Sequence, residues 1–213
     1  PCDVDGNPLQ VPGMDKLADS PRAQAVLQGR MHALPLFTHS RDQERLGGPG
    51  DTVYMDGCGP MIKSVVTQHN NYLGAICAST GYARVAACHG QSAAAATAAL
   101  ALFIADVRSK IGSQQYRSPL VLRSDQGAAF VGQHFREFLH GSLTRLSLAA
   151  PHHEQQRSYI ERLWGTLFGT ARVLLAAAGL SVRFHPWAVA TACWLYNRLP
   201  SMHRGGKSPY ELL

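Results

Sequence analysis

Two aspartates in the sequence share a local pattern that suits metal binding. Asp56 stands in YMDGCG and Asp125 in LRSDQG, so each ends a run of strand-forming residues and is closely followed by a glycine. An aspartate in this setting most often forms an Asx turn, in which its side chain accepts a backbone hydrogen bond. In open α/β sheets, ligands bind just beyond the carboxyl ends of strands, and two such carboxylates could meet there.

Glu161 supplies a third carboxylate, on a long predicted helix. The apolar stripe of this helix consists of Ile160, Leu163, Trp164, Leu167, Ala171, Leu174 and Leu175. Glu161 falls at the border of the stripe, where a carboxylate can face the sheet without the cost of full burial. Periodicity alone favours a simpler interpretation, a solvent-facing Glu161 paired with Arg157 or Arg162. Three converging carboxylates would provide the hard oxygen ligands of a two-metal phosphoryl-transfer site.

The segments that would position these carboxylates alternate between strand and helix patterns. Strand-like runs occupy 52–56, 72–80 and 82–88, and an alanine-rich segment at 92–112 predicts a buried crossover helix capped by Ser92. The apolar run before Asp125 predicts a central strand, 130–140 a helix and 143–148 a short strand. Two more helices are predicted, from 154 to a stop at Gly179 and from 185 to a stop before Pro200. This order predicts an α/β fold with one mixed sheet.

Composition narrows the class of protein. The 213 residues are 46% hydrophobic, enough for a substantial core, with no apolar stretch long enough to cross a membrane and no N-terminal signal pattern. Five scattered cysteines without a CxxC pair indicate reduced thiols rather than a zinc module. The net charge is +6, and +4 of it falls after residue 150, where seven Arg and Lys face three acids. This distribution of charge is compatible with a phosphate-rich partner.

Residues 1–50 differ from the rest of the chain in composition and in their pattern of apolar residues. They combine a Pro-, Gly- and Asp-rich start, one short helical pattern at 20–32 and a Gly-Pro-Gly break at 48–50. We interpret this segment as a connecting or partly disordered arm and residues 51–213 as one folded domain. Because the chain begins at Pro1 and stops at SPYELL, we expect it to be a piece of a longer polypeptide.

The carboxylates and the phrases around them resemble a known family. Asp125 and Glu161 have 35 residues between them, a spacing that resembles the D-35-E pattern of retroviral and retrotransposon integrase cores. DGCGPM resembles the D-x-x-G-P-M of copia-type elements, LRSDQGAAF their L-R-S-D-x-G-x-E-F, and PHHEQQRSYIER their P-Y-T-P-Q-Q-N-G-x-x-E-R. AVATACWLYNRLP and SPYEL are similar to two further phrases of that group. The resemblance thus runs from about Gly50 to the end of the chain.

The resemblance implies a ribonuclease-H-like fold, in which helices flank a mixed five-stranded sheet, and an integrase catalytic core at 51–213. The catalytic and metal-binding residues would be Asp56 on the first strand, Asp125 after the fourth and Glu161 on the following long helix. Two Mg²⁺ or Mn²⁺ ions would bind between them. The implied activity is that of a DNA integrase, a polynucleotidyl transferase that trims a DNA 3′ end and joins it to target DNA.

The same resemblance implies partners and a setting. The DNA-contacting residues would be Gln155, Gln156, Arg157, Arg162 and Arg123. The partners would be the DNA of the element ends, the target DNA and further copies of the chain, with no membrane. The chain would come from a retrotransposon polyprotein that acts in the nucleus after a cytoplasmic stage, and residues 1–50 would include the end of a pre-integrase region.

The sequence departs from the family pattern at two places. Ala129 stands where the family has a glutamate, and Arg157-Ser158 replace an Asn-Gly pair just before Glu161. These departures favour a second hypothesis, a catalytically silent DNA-binding or assembly module derived from an integrase core. A third hypothesis, a cellular ribonuclease-H-like nuclease, fits the carboxylates but not the NRLP and SPYELL phrases.

Two further features have simple interpretations. Cys58, two residues after Asp56, could be a nucleophile, but no partner base is identifiable, and a small buried hydrophobe is favoured. Trp187 and Trp194, seven residues apart on the last predicted helix, are predicted to pack in the core rather than to stack on nucleic-acid bases.

Overall fold

The computed structural model describes residues 47–116, 118–148 and 154–213, with the backbone alone described for 154–158 and for residue 203. The predicted arm, with its helical pattern at 20–32, lies outside the described residues apart from 47–50. Within the described ranges, no helix is both long and apolar enough to cross a membrane.

Strands and helices follow the predicted order. The strands are β1 (Thr52–Cys58), β2 (Asn71–Cys77), β3 (Ala83–Cys88), β4 (Val121–Ser124) and β5 (Arg145–Leu148). The helices are α1 (Ala93–Ile111), α2 (Ala128–Val131), α3 (Gln133–Gly141), α4 (Glu154–Ala178), α5 (His185–Arg198) and α6 (Pro209–Leu212). Short 3-10 turns cover Val182–Phe184 and Met202–Arg204.

The predicted mixed sheet is confirmed. In the described part of the chain, five strands pair in the order β3-β2-β1-β4-β5. The first three strands form an antiparallel meander, whereas β4 and β5 run parallel to β1. The long helix α1 makes the crossover from the meander to β4, as a parallel connection requires.

Helices cover both faces of the sheet. On one face, Val53, Met55 and Leu73 pack with buried residues of α1, α2 and α3. On the other face, Tyr72 and Ile76 pack with buried residues of α4 and α5. Because both faces are covered, every residue of β2 is buried, which explains why this strand lacks a polar alternation.

The helix predicted at 130–140 is interrupted at Gly132. The backbone there is extended (φ −63°, ψ 144°), so α2 ends and α3 begins around this residue. A Cβ at position 132 would lie 2.7 Å from the Cβ of Ala93, so the glycine allows the turn to approach the start of α1 closely.

The prediction that Trp187 and Trp194 pack in the core is wrong. Their exposed fractions are 44% and 54%. The buried side of α5 is formed by smaller side chains with helical spacing, namely His185, Ala188, Val189, Ala192, Cys193 and Asn197. Small residues let α5 lie close to α4 and β3, and the two tryptophans fall on the opposite side. The guanidinium carbon of Arg198 lies 4.1 Å from the Trp194 ring centroid, a cation-π contact on the surface.

Candidate active site

Strand register brings Asp56 and Asp125 to the same edge of the sheet. The parallel pairing of β1 with β4 aligns Tyr54 with Arg123, and Asp56 and Asp125 each follow this pair by two residues. Asp125 follows β4 directly, as predicted. The prediction that Asp56 ends its strand is wrong, because β1 continues to Cys58 and Asp56 pairs with Gly74 of β2. Antiparallel pairing with β2 extends β1 past the last parallel pair and holds the Asp56 backbone in the sheet.

Asp125 forms the Asx turn that its local sequence predicts. Its Oδ1 accepts a hydrogen bond of 2.9 Å from the Gly127 backbone N–H, at the start of α2. The side chain is half-buried. The turn and a ligand role are compatible, because a carboxylate has two oxygens and several lone pairs.

Asp56 is held by a residue of α4. The Trp164 Nε1–H donates a hydrogen bond of 3.1 Å to Asp56 Oδ2. The indole lies over Gly74, where a Cβ would be 2.7 Å from its Cζ2 atom. A side chain at position 74 would therefore displace the ring that holds Asp56.

Electrostatics connect the three predicted carboxylates. Burial raises the pKa of the Asp56 carboxyl above its usual range, and repulsion from Asp125 and, to a smaller extent, Glu161 raises the pKa further. The Trp164 hydrogen bond and the Gly57 backbone act in the opposite direction. Glu161 itself is exposed on α4, at the border of the buried stripe, as predicted. The charge of each of the other two carboxylates is thus felt at Asp56.

The donor chemistry of this cluster fits a divalent cation, although the three side chains do not converge on one point. Among the residues that the structure describes, no group of three His, Cys, Asp or Glu side chains is arranged to hold a metal ion. Carboxylate oxygens are the hard ligands that Mg²⁺ and Mn²⁺ prefer. The mutual repulsion that raises the Asp56 pKa is the kind of interaction that a bound cation would relieve.

The structure describes the side chains of only some of the residues that are predicted to contact DNA. Gln155, Gln156 and Arg157 lie in the first turns of α4, and their side chains fall outside the description. Arg162 is half-buried, one residue beyond Glu161. Arg123 donates from Nη1 to the Tyr54 hydroxyl at 3.0 Å, and its buried Nε has no hydrogen-bond partner among the described residues.

Sequence reasoning missed three residues beside Asp56. Trp164 was visible only as a member of an apolar stripe, and Gly74 only as a glycine inside a strand pattern, which is itself a signal of close approach. Gln91 lies just before α1 and is exposed, and its Oε1 would be 2.3 Å from a Cβ at Gly57. Nothing in the local sequence marks Gln91, because its position next to β1 depends on the tertiary fold.

Cys58 has the environment of an inert thiol. It is half-buried, and burial, followed by the charge of Asp56, raises the pKa of its thiol. A raised pKa lowers the population of the reactive thiolate at neutral pH. This environment agrees with the interpretation of Cys58 as a small hydrophobic residue.

Solved structures decide the fold family. The HTLV-2 integrase catalytic core domain in complex with magnesium, in a trimeric form, matches with a TM-score of 0.58 and 19% identity, over 78% of this chain and 97% of that chain. The chain has the fold of an integrase catalytic core. A chain of a simian T-cell lymphotropic virus intasome, in complex with PP2A regulatory subunit B56 gamma, matches this core with a TM-score of 0.64 and 18% identity, over 85% of this chain and 59% of that one. The BIV integrase catalytic core domain matches with a TM-score of 0.55 and 17% identity, over 76% and 92%.

A sequence relative agrees with this integrase-core fold. The retrovirus-related Pol polyprotein from the Nicotiana tabacum transposon TNT 1-94 is 35% identical over 81 residues, which are 38% of this chain and 6% of the polyprotein. No protein-family model matches the sequence. The resemblance to integrase cores and the ribonuclease-H-like architecture are therefore confirmed. The copia-type assignment, the division at residue 50 and the roles of individual site residues stay predictions.

Proposed function

We propose that this integrase core is the catalytic domain of a retrotransposon integrase, which trims DNA 3′ ends and joins them to target DNA. The observation that carries the proposal is the register of β1 and β4, which brings Asp56 and Asp125 to one edge of the sheet, where the charge of Glu161 on α4 also acts on Asp56. Ligands gather at this edge in α/β sheets, and three carboxylates suit metal-dependent phosphoryl transfer.

The three carboxylates would hold two Mg²⁺ or Mn²⁺ ions. When bound, such ions activate the attacking oxygen and stabilise the leaving oxygen of an in-line displacement at phosphorus. Asp56 is fixed by its strand and by Trp164, and Asp125 by its turn. Glu161, which is exposed on α4, would turn towards the two aspartates when the ions bind. The protein would position the reacting groups and neutralise the charge that develops on the phosphate, and it would form no covalent intermediate.

DNA and further copies of the chain are the proposed partners, and the nucleus, after a cytoplasmic stage, is the proposed place of action. The net charge of +6 supports a phosphate-rich partner. The HTLV-2 catalytic core is described in trimeric and dimeric forms, and an intasome is among the structural matches, which supports an oligomer. We assign DNA contact to the side chains already named, Gln155, Gln156, Arg157, Arg162 and Arg123.

A strand-transfer assay tests the proposal. The chain is incubated with labelled DNA ends and Mn²⁺, and trimmed and joined products are separated by size. We expect Glu161→Gln and Asp56→Asn to reduce product formation by about 100-fold or more, since each replaces a carboxylate ligand of the proposed metal ions with a neutral amide.

Glu137→Gln is the matched control for this assay. Glu137 is exposed on α3, on the opposite face of the sheet, so the same chemical change should leave the rate unaltered. Equal activity of wild type and Glu161→Gln would contradict the assigned role of Glu161. A wild type that binds DNA but forms no product would instead support the silent-module hypothesis. Ala129 gives no separate support to that hypothesis, because it is 4% exposed and contributes to the core.

A further inference from the structure

Trp164 is fixed in place by its neighbours. It is 6% exposed, and its ring stacks on Phe168 with a centroid distance of 5.6 Å and an interplanar angle of 17°. Tyr72 packs against it with a centroid distance of 6.3 Å. A ring held in this way presents its N–H in one direction, and the acceptor in that direction is Asp56 Oδ2, at 3.1 Å.

Gly74, on the strand next to Asp56, leaves room for the Trp164 ring. It pairs with Asp56 across β1 and β2. A Cβ at this position would lie 2.7 Å and 2.8 Å from Cζ2 and Cη2 of Trp164, closer than side chains tolerate. The glycine therefore gives the indole the space that it needs to reach the carboxylate.

We infer that Trp164 is a positioning residue for Asp56, and that Gly74 leaves the space in which the Trp164 indole lies. The inference rests on the proposed function, because it concerns a carboxylate assigned there as a metal ligand. The indole N–H can only donate, so it binds one carboxylate oxygen and fixes the direction of the other. Groups that orient a metal ligand in this way affect metal affinity about 10–100-fold.

If Trp164 only packed in the core, its N–H group would not matter, whereas a positioning role depends on that group. Trp164→Phe keeps an aromatic ring but removes the donor. We expect it to weaken Mn²⁺ binding to the whole chain about 10-fold, measured by calorimetry and by electron paramagnetic resonance of the free ion. The kcat of strand transfer should fall while the KM for DNA stays unchanged. Trp187→Phe is the matched control, since Trp187 is exposed on α5.

A double-mutant cycle tests the role of Gly74. Gly74→Ala should weaken Mn²⁺ binding in the wild type because the new methyl group displaces the indole. In the Trp164→Phe background it should have little further effect, because phenylalanine lacks the atoms that approach position 74. Additive effects of the two substitutions would overturn the inference.

Two outcomes separate the inference from the proposed function. If the wild type binds Mn²⁺, Asp56→Asn abolishes binding and Trp164→Phe lowers only the melting temperature, the metal site stands and Trp164 is a packing residue. If the wild type binds no Mn²⁺, the proposed metal function fails and the positioning role falls with it. Weaker Mn²⁺ binding by a Trp164→Phe variant that is still folded at the assay temperature, with unchanged binding by Trp187→Phe, would establish the inference.

Discussion

Tyr72 brings a hydroxyl group into the same buried layer as Trp164. The side chain is 1% exposed, and its OH forms a hydrogen bond with Nδ1 of His185. The other ring nitrogen, Nε2, lies 2.8 Å from the carbonyl oxygen of Ile62. Because a carbonyl only accepts, Nε2 carries a proton, and in the neutral imidazole Nδ1 then accepts from the tyrosine. This chain of bonds connects β2, the start of α5 and the loop after β1.

Removal of the Tyr72 hydroxyl should therefore destabilise the fold. Tyr72→Phe leaves Nδ1 of the buried His185 without its donor, and we expect the free energy of unfolding to fall by about 1–3 kcal/mol. Urea denaturation followed by circular dichroism measures the change. Tyr210→Phe removes a hydroxyl from a 37% exposed tyrosine and should have almost no effect. Equal losses in the two variants would show that the buried bond contributes nothing specific.

Asn197 shows how one helix can protect the edge of the sheet. β3 is an edge strand, and its first residue, Ala83, has its backbone groups directed towards α5. The Ala83 N–H donates to Asn197 Oδ1 at 2.9 Å, and Asn197 Nδ2 donates to the Ala83 carbonyl at 2.7 Å. The amide thus takes the place of a further strand and keeps this backbone from pairing elsewhere.

Loss of this amide should loosen α5 from the sheet. Asn197→Ala leaves the buried Ala83 N–H without an acceptor and its carbonyl with only the weak thiol donor of Cys193, and we expect a loss of about 1–3 kcal/mol in the free energy of unfolding, measured by denaturant titration. Thr191→Ala, at an exposed position of α5, is the control and should change stability very little. A loss below about 0.5 kcal/mol for Asn197→Ala would argue that water replaces the amide.

Elements were predictable from the sequence where their periodicity was strong. α1 and α4 begin and end within a residue or two of their predicted limits, because caps and glycine stops mark them. The position of Asp56 within β1 was not predictable, since antiparallel pairing with β2 extends the strand. The contact of Trp164 with Asp56 joins residues 108 apart in sequence, and only the packing of α4 on the sheet creates it.

In the molecule as a whole, the sheet separates α4, which carries Glu161, from the core that is formed with α1, α2 and α3. The cluster of α1, α2 and α3 fills one face of the sheet, while the predicted ligand Glu161 and the predicted DNA contacts of α4 belong to the other face. Of the net charge of +6, +4 lies after residue 150. A DNA partner should therefore approach the face that carries α4.

The salt dependence of DNA binding tests this direction of approach. Each phosphate neutralised by a side chain contributes about −0.9 to the slope of log K against log salt concentration. We expect Arg157→Gln and Arg162→Gln each to reduce the magnitude of the slope by about 0.9, measured by fluorescence anisotropy with a labelled duplex. Arg136→Gln, at an exposed position of α3 on the opposite face, should leave the slope unchanged. A change confined to Arg136→Gln would place the DNA on the α1–α3 face and overturn the assignment of α4, because the slope counts the phosphates that each arginine meets.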